Sequence, residues 1–196
     1  MAPFTLVDPD RCPCKMIMRY ETIADIYSAN EKARGNLKAT VSGISDEEAA
    51  ALPDGDKWTI GQIIEHLSMV DLGISRICAR LLEDAKAAGK LSDGALCISD
   101  DFYRKAAEVG NVKVEAPERV QPTGDVTIAE ALDRMNANRP AIEAMRADLE
   151  KYDLSAPKFP HPYFGEITAA EWLIVAGGHE QRHAAQIERL LAKIRN

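Results

Sequence analysis

Three of the four histidines in this chain have the spacing and setting of a metal site. In "GGHEQRHAAQIERLL", residues 177–191, His179 and His183 stand four positions apart with Glu180 beside the first. Residues so spaced lie one helical turn apart, with Cβ atoms ~5–6 Å from each other, so both imidazoles can reach one ion. H-E-x-x-H is also the zinc-protease signature, in which the glutamate acts as base. The surroundings speak against that reading. A zincin takes a third ligand downstream, and among residues 184–196 the only carboxylate is Glu188, ~140° round the same helix. No strand-like segment precedes the motif to align a peptide, and Glu180 sits ~100° from His179, so it reaches the site only from the flank.

Stepping along the helix, His179 shares a face with Trp172, Val175 and Ala176, and His183 with Gln186, Ile187 and Leu190. The pair therefore faces a core. His66 falls in a stripe with Ile63, Val70 and Ile77 and also points inward. A single inward histidine is ordinarily a core residue with its hydrogen bonds satisfied. Three of them on facing helices point instead to a shared ion, which takes one nitrogen of each ring while the other nitrogen donates to a supporting group. The fourth, His161 in "HPYFG", precedes the last helix. It could swing over the ion as an acid, base or substrate contact, or pack against Tyr163 or Phe164. Glu180 could serve as base or supporting group, or lie in solvent.

Four long helical patterns must position these residues. The first runs from about Tyr20 to Thr40, with Ile23, Ile26, Tyr27, Ala33, Leu37 and Val41 in phase. A short turn opens at Ser45 with Glu48 closing a capping box, and "LPDGDK" at 52–57 is a loop. The second helix starts at Thr59, boxed by Gln62 and stapled by Trp58 onto Ile63, and ends near Gly89. Residues 91–126 contain one short helix-like stretch, "SDDFYRKAAEVGN", and are otherwise aperiodic. A connection of that length implies a functional segment such as a lid, or weak order. The third helix opens with the Thr127/Glu130 box and carries Pro140, which predicts a kink or break. Residues 155–167 read as a loop. The Thr168/Glu171 box and the Ile167–Trp172 staple open the fourth helix, which runs nearly to the C-terminus. Gly177 and Gly178 inside it each cost ~1 kcal/mol against alanine, so room beside the ion or close helix approach is expected there. The pattern is an all-α bundle with no strand ladder.

Composition limits the partners. Hydrophobic residues make up 46% of the 196, enough for one packed domain. The net charge of −7 argues against nucleic acid, and no apolar run approaches the ~20 residues of a membrane span. Residues 1–18 read as a tail with no signal-peptide core, and Met16 or Met18 could be the true start, leaving a domain over 19–196. Cys12, Cys14, Cys78 and Cys97 are expected as reduced thiols of a cytoplasmic protein, with a metal or redox role for the Cys12/Cys14 pair as the alternative.

The segments "KWTIGQIIEHLSMVD" at 57–71 and "HPYFGEITAAEWLIVAGGHEQRHAAQIERLL" at 161–191 resemble the DinB-like superfamily of four-helix-bundle metalloproteins, which includes the YfiT-like metal hydrolases. The resemblance covers about residues 20–194 and is specific in the histidine pattern and in the W-(S/T)-x-x-x-x-x-x-H-L spacing. It implies an up-down-down-up four-helix bundle with a long segment between helices 2 and 3, His66, His179 and His183 as metal ligands, nickel, zinc or another divalent ion, and a homodimer. It further implies a metal-dependent enzyme acting on a small molecule, either an S-transferase or isomerase using a low-molecular-weight thiol, or a hydrolase. Arg34, Arg139 or Arg182 at the pocket mouth would favour an anionic thiol. The alternative is a non-catalytic, stress-related binding or scaffold protein whose metal is structural or vestigial.

Overall fold

Each long helix begins where a threonine side chain accepts a hydrogen bond from the backbone three residues on. The computed structural model describes residues 19–109 and 115–196. Six helices are assigned there: α1 (Ile23–Val41), α2 (Asp46–Ala50), α3 (Ile60–Ala88), α4 (Asp100–Glu108), α5 (Ile128–Lys151) and α6 (Ala169–Ile194). Reciprocal capping boxes form at Thr22/Asp25, Ser45/Glu48, Thr59/Gln62, Thr127/Glu130 and Thr168/Glu171. Each satisfies backbone N–H groups that the helix itself leaves without partners. Gly89 ends α3 in the left-handed conformation at φ 68°, as a glycine after a helix readily does.

The helix directions follow from cross-contacts. Asn30 bonds Leu173, Arg34 bonds Glu180 and Thr40 meets Glu188, so α1 and α6 run parallel. Asp71 meets Asn138 and Lys86 meets Asp148, so α3 and α5 run parallel. His66 lies by His179 and Cys78 by Ala169, which sets α3 antiparallel to α6. The result is the up-down-down-up bundle expected, with the long connection joining α3 to α5. That connection contains α4 and a 3-10 turn at Glu118–Val120.

Two departures from the sequence reading stand out. The stretch taken as a loop at 155–167 contains an antiparallel hairpin, β1 (Phe159–His161) paired to β2 (Gly165–Ile167), with Gly165 at φ 80°. Strands of three residues, one holding Pro160, leave no legible alternation. Helix α5 continues through Pro140 with no break. Pro140 and Asn136 are both exposed, so the carbonyl left without its usual donor lies on the wet face. The expected tail at 1–18, with Cys12, Cys14, Met16 and Met18, lies outside the described residues, as do residues 110–114 of the long connection. Cys78 and Cys97 are free thiols, and burial pushes the Cys78 thiol up to about 12. No helix among the described residues is long and apolar enough to cross a membrane.

The core divides into two apolar clusters along the bundle. One gathers Ile26, Ile74, Leu81, Leu149 and Trp172, the other Leu37, Ile63, Leu67, Met135, Ile187 and Leu190. Between them lies a polar layer made by Arg34, Asp71, Asn138 and Glu180, all buried.

Candidate metal centre

His66 comes from the first half of α3, and His179 and His183 from the middle of α6. The antiparallel crossing of these two helices brings the three imidazoles together. Nε2 of His179 lies 3.3 Å from Nε2 of His66 and 3.1 Å from Nε2 of His183, and the three ligand atoms all fall within 4.8 Å of one another. Two nitrogens bound to one ion at ~2.0–2.1 Å, with an angle of ~95–110° between them, stand ~3.0–3.4 Å apart, so the spacing fits a single ion.

The outward-facing nitrogens decide the tautomers. His66 Nδ1 lies 2.6 Å from the Val120 carbonyl oxygen, and His183 Nδ1 lies 2.9 Å from Gln186 Oε1. A carbonyl oxygen only accepts, so each Nδ1 carries the proton and each Nε2 presents a lone pair to the centre. His179 Nε2 stands 3.3 and 3.1 Å from these two lone pairs, a spacing that calls for a cation or a proton among the three nitrogens. The arrangement can therefore hold a metal ion, with the other ring nitrogens supported as metal-binding histidines are elsewhere.

Electrostatics keep the rings neutral. Burial lowers His66, opposed by its bond to Val120. Burial brings His183 down to about 4, and the neighbouring His66 charge adds to this. His179 falls well below the ordinary range through burial first, and then through His183, His66, Arg182 and His161. Neutral imidazole is the form that ligates. Trp58, expected as a helix staple, lies with its ring centroid 4.9 Å from that of His66 and walls that side of the centre.

His161 and Glu180 are placed differently. His161 ends β1, its Nδ1 accepting from the backbone N–H groups of Tyr163 (3.1 Å) and Phe164 (3.2 Å) and its ring packing on Phe164 and Trp172. Burial lowers it to about 4. Its remaining ring nitrogen carries the proton and is a donor at neutral pH. Glu180 does not turn to the imidazoles. Its carboxylate accepts from Arg34 Nε at 3.0 Å and from the terminal guanidinium nitrogen at 2.6 Å, on the side of α6 that faces α1. Arg34 also donates to Asp71 at 2.6 Å, and Asp71 accepts from Asn138 at 2.7 Å. Of the readings open for Glu180, the solvated one is corrected: it is buried in the ionic layer, because the ~100° step from His179 aims it at α1.

The arginines divide as well. Arg34 is part of that layer, Arg139 pairs with Glu31, and Arg182 donates to the Val109 carbonyl at 2.6 Å. At Gly177 α1 presses on α6: a Cβ there would lie 2.2 Å from Asn30 Oδ1, whereas one on Gly178 would meet nothing within 4 Å. The ionic layer was not part of the sequence reading. Its signal was present, since Arg34 stands seven residues from both Tyr27 and Val41 on an apolar stripe.

A family model described as the DinB superfamily matches residues 29–187. An uncharacterized protein, YuaE of Bacillus subtilis (strain 168), is 26% identical over 155 residues, covering 79% of this chain and 90% of YuaE. A crystal structure described as TT2238, a four-helix bundle protein, superposes with a TM-score of 0.57 at 20% identity, covering 86% of this chain and 99% of that one.

Proposed function

This chain belongs to the DinB superfamily, and on that premise we propose that it is a divalent-metal-dependent enzyme acting on a small molecule, with His66, His179 and His183 holding nickel or zinc. The observation that carries this reading is the convergence of three Nε2 atoms, with the other ring nitrogens of His66 and His183 already engaged at Val120 and Gln186. Three protein ligands leave coordination positions open, which is the catalytic rather than the closed structural arrangement. When bound, such an ion acidifies a ligated water or thiol and polarises a substrate carbonyl.

Between the two reaction classes, the position of Glu180 favours thiol transfer. The carboxylate that the H-E-x-x-H string would supply as base is tied to Arg34. A metal-bound water gains from a nearby base to take its proton, whereas a low-molecular-weight thiol is already far more acidic and depends on such a base less. His161, with its protonated nitrogen free to donate, supports orientation of a substrate oxygen or leaving group. The test uses cobalt-substituted protein titrated with cysteine, followed by assays with an alkyl halide plus cysteine and with a nitrophenyl ester. A thiolate-to-metal absorption band with thioether formation supports S-transfer. Ester turnover without a band supports hydrolysis. Neither activity, with cobalt bound, contradicts the enzyme reading and leaves a binding protein.

A further inference from the structure

Val120, whose carbonyl fixes the His66 tautomer, lies 54 residues from His66 along the chain, so something must hold it there. The 3-10 turn at Glu118–Val120 is closed within itself, Val120 N–H to Pro117 (3.0 Å) and Gln121 N–H to Glu118 (3.1 Å), but those bonds do not attach it to the bundle. The Lys57–Glu115 pair does reach across, at 3.5 Å, yet both side chains are largely exposed. Pairs of that kind contribute little. Glu65 is different. It is 2% exposed and immediately precedes His66 on α3. One carboxylate oxygen accepts from Thr123 N–H at 3.1 Å and Thr123 Oγ1 at 2.8 Å, and the other accepts from Gly124 N–H at 2.8 Å. Gly124 sits at φ 88°, a conformation that glycine adopts freely.

We propose that Glu65 is a positioning residue for His66: by clamping residues 123 and 124 it holds the Val120 carbonyl against His66 Nδ1 and so keeps Nε2 aimed at the centre. Neighbouring residues on one helix thereby grip the same segment, Glu65 by its carboxylate and His66 by its ring. The clamp takes three donors and offers none, which suits a carboxylate and suits an amide less well. It also explains why His66 needs such an anchor more than His183 does. Gln186 lies one turn along the same helix as His183, whereas Val120 stands 54 residues from His66 along the chain.

The consequence for metal affinity rests on the function proposed above; the consequence for the tautomer does not. The test compares wild type, Glu65→Ala and Glu65→Gln. Long-range proton–nitrogen correlation on metal-free protein with nitrogen-15 histidine reads each ring's tautomer, and chelator competition reads the zinc dissociation constant. In Glu65→Ala the His66 signals move from the Nδ1–H form toward a mixture while those of His183 stay, and zinc binding weakens ~10–100-fold, the usual effect of losing support behind a ligand. Glu65→Gln, which keeps one oxygen acceptor, falls between. Should Glu65→Ala fail to fold, Thr123→Val removes one donor only, and a measurable shift of His66 in the same direction is expected. A folded Glu65→Ala protein, or failing that Thr123→Val with Glu65→Gln, whose His66 tautomer matches wild type overturns the proposal. If wild type takes up no zinc, the metal reading fails, and the tautomer data still decide the role of Glu65.

Discussion

Replacing Arg34 with methionine tests whether the buried ionic layer is held by that one guanidinium. Arg34 is 8% exposed, and its two carboxylate partners, Asp71 and Glu180, are 8% and 6% exposed. Methionine fills comparable volume but leaves both carboxylates without a cation. Asp71 keeps its bond from Asn138, and Glu180 keeps none of those described. Removing one partner of a buried pair costs ~3–5 kcal/mol, because the remaining charge stays desolvated. At ~2–4 °C per kcal/mol for a chain of this size, the melting temperature should drop by roughly 6–20 °C. The loss should depend on pH. Burial already raises the Glu180 carboxyl above its ordinary range, against the pull of Arg34. An acid raised in the folded state binds protons more tightly there than when unfolded, so falling pH favours folding. Without Arg34 the rise is larger, and the deficit should be greater at pH 8 than at pH 5. Glu180→Gln keeps an oxygen for Arg34 and leaves Asp71 to balance it, so ~1–3 kcal/mol is expected, with metal content unchanged. Denaturant unfolding at both pH values is the assay. An Arg34→Met protein within ~1 kcal/mol of wild type at pH 8 would refute the reasoning, since the cost of an unpaired buried charge would be missing.

Four further outcomes follow from the geometry. Gly177→Ala should destabilise by ~1–3 kcal/mol, since the new Cβ forces Asn30 aside and breaks its bond to the Leu173 carbonyl. Gly178→Ala, one residue on and facing open space, should stabilise by ~0.5–1 kcal/mol; parallel thermal melts decide both. Metal-free protein should lose stability as pH falls from 6.5 toward 4, because His183 and His161 are lowered to about 4 and the unfolded chain takes up protons first. The slope is at most ~1.4 kcal/mol per pH unit for each such histidine, and a flat stability curve over that interval would contradict their burial as neutral rings. In metal-loaded protein the same protonation competes with the ion, so release should steepen over that range, read by metal content after dialysis at stepped pH.

Much of the fold was legible because it is written in local signals. Thr59, Thr127 and Thr168 each announce a helix start with a partner three residues on, and each box forms. The inward stripe on α3 and the His179/His183 spacing on α6 placed three imidazoles on facing surfaces, which is where the structure brings them. What escaped the reading depends on contacts between distant segments. The Glu65 clamp joins residues 58 and 59 positions apart, and no periodicity marks Thr123 or Gly124 as its donors. The hairpin before α6 is too short and too proline-bearing to alternate visibly. The ~100° step from His179 already set Glu180 to the flank of the site, but only the facing helix shows its partner, the buried Arg34.

The most direct measurement is metal content by elemental analysis on protein purified without a histidine tag, for wild type and for His66→Ala. The account predicts near-stoichiometric nickel, zinc or a similar divalent ion in wild type and its loss in His66→Ala, with the helical content of the variant retained. Wild-type protein that carries no metal, and takes none up on dialysis against divalent ions, would contradict it and leave three neutral core imidazoles whose inward nitrogens are bridged by a proton.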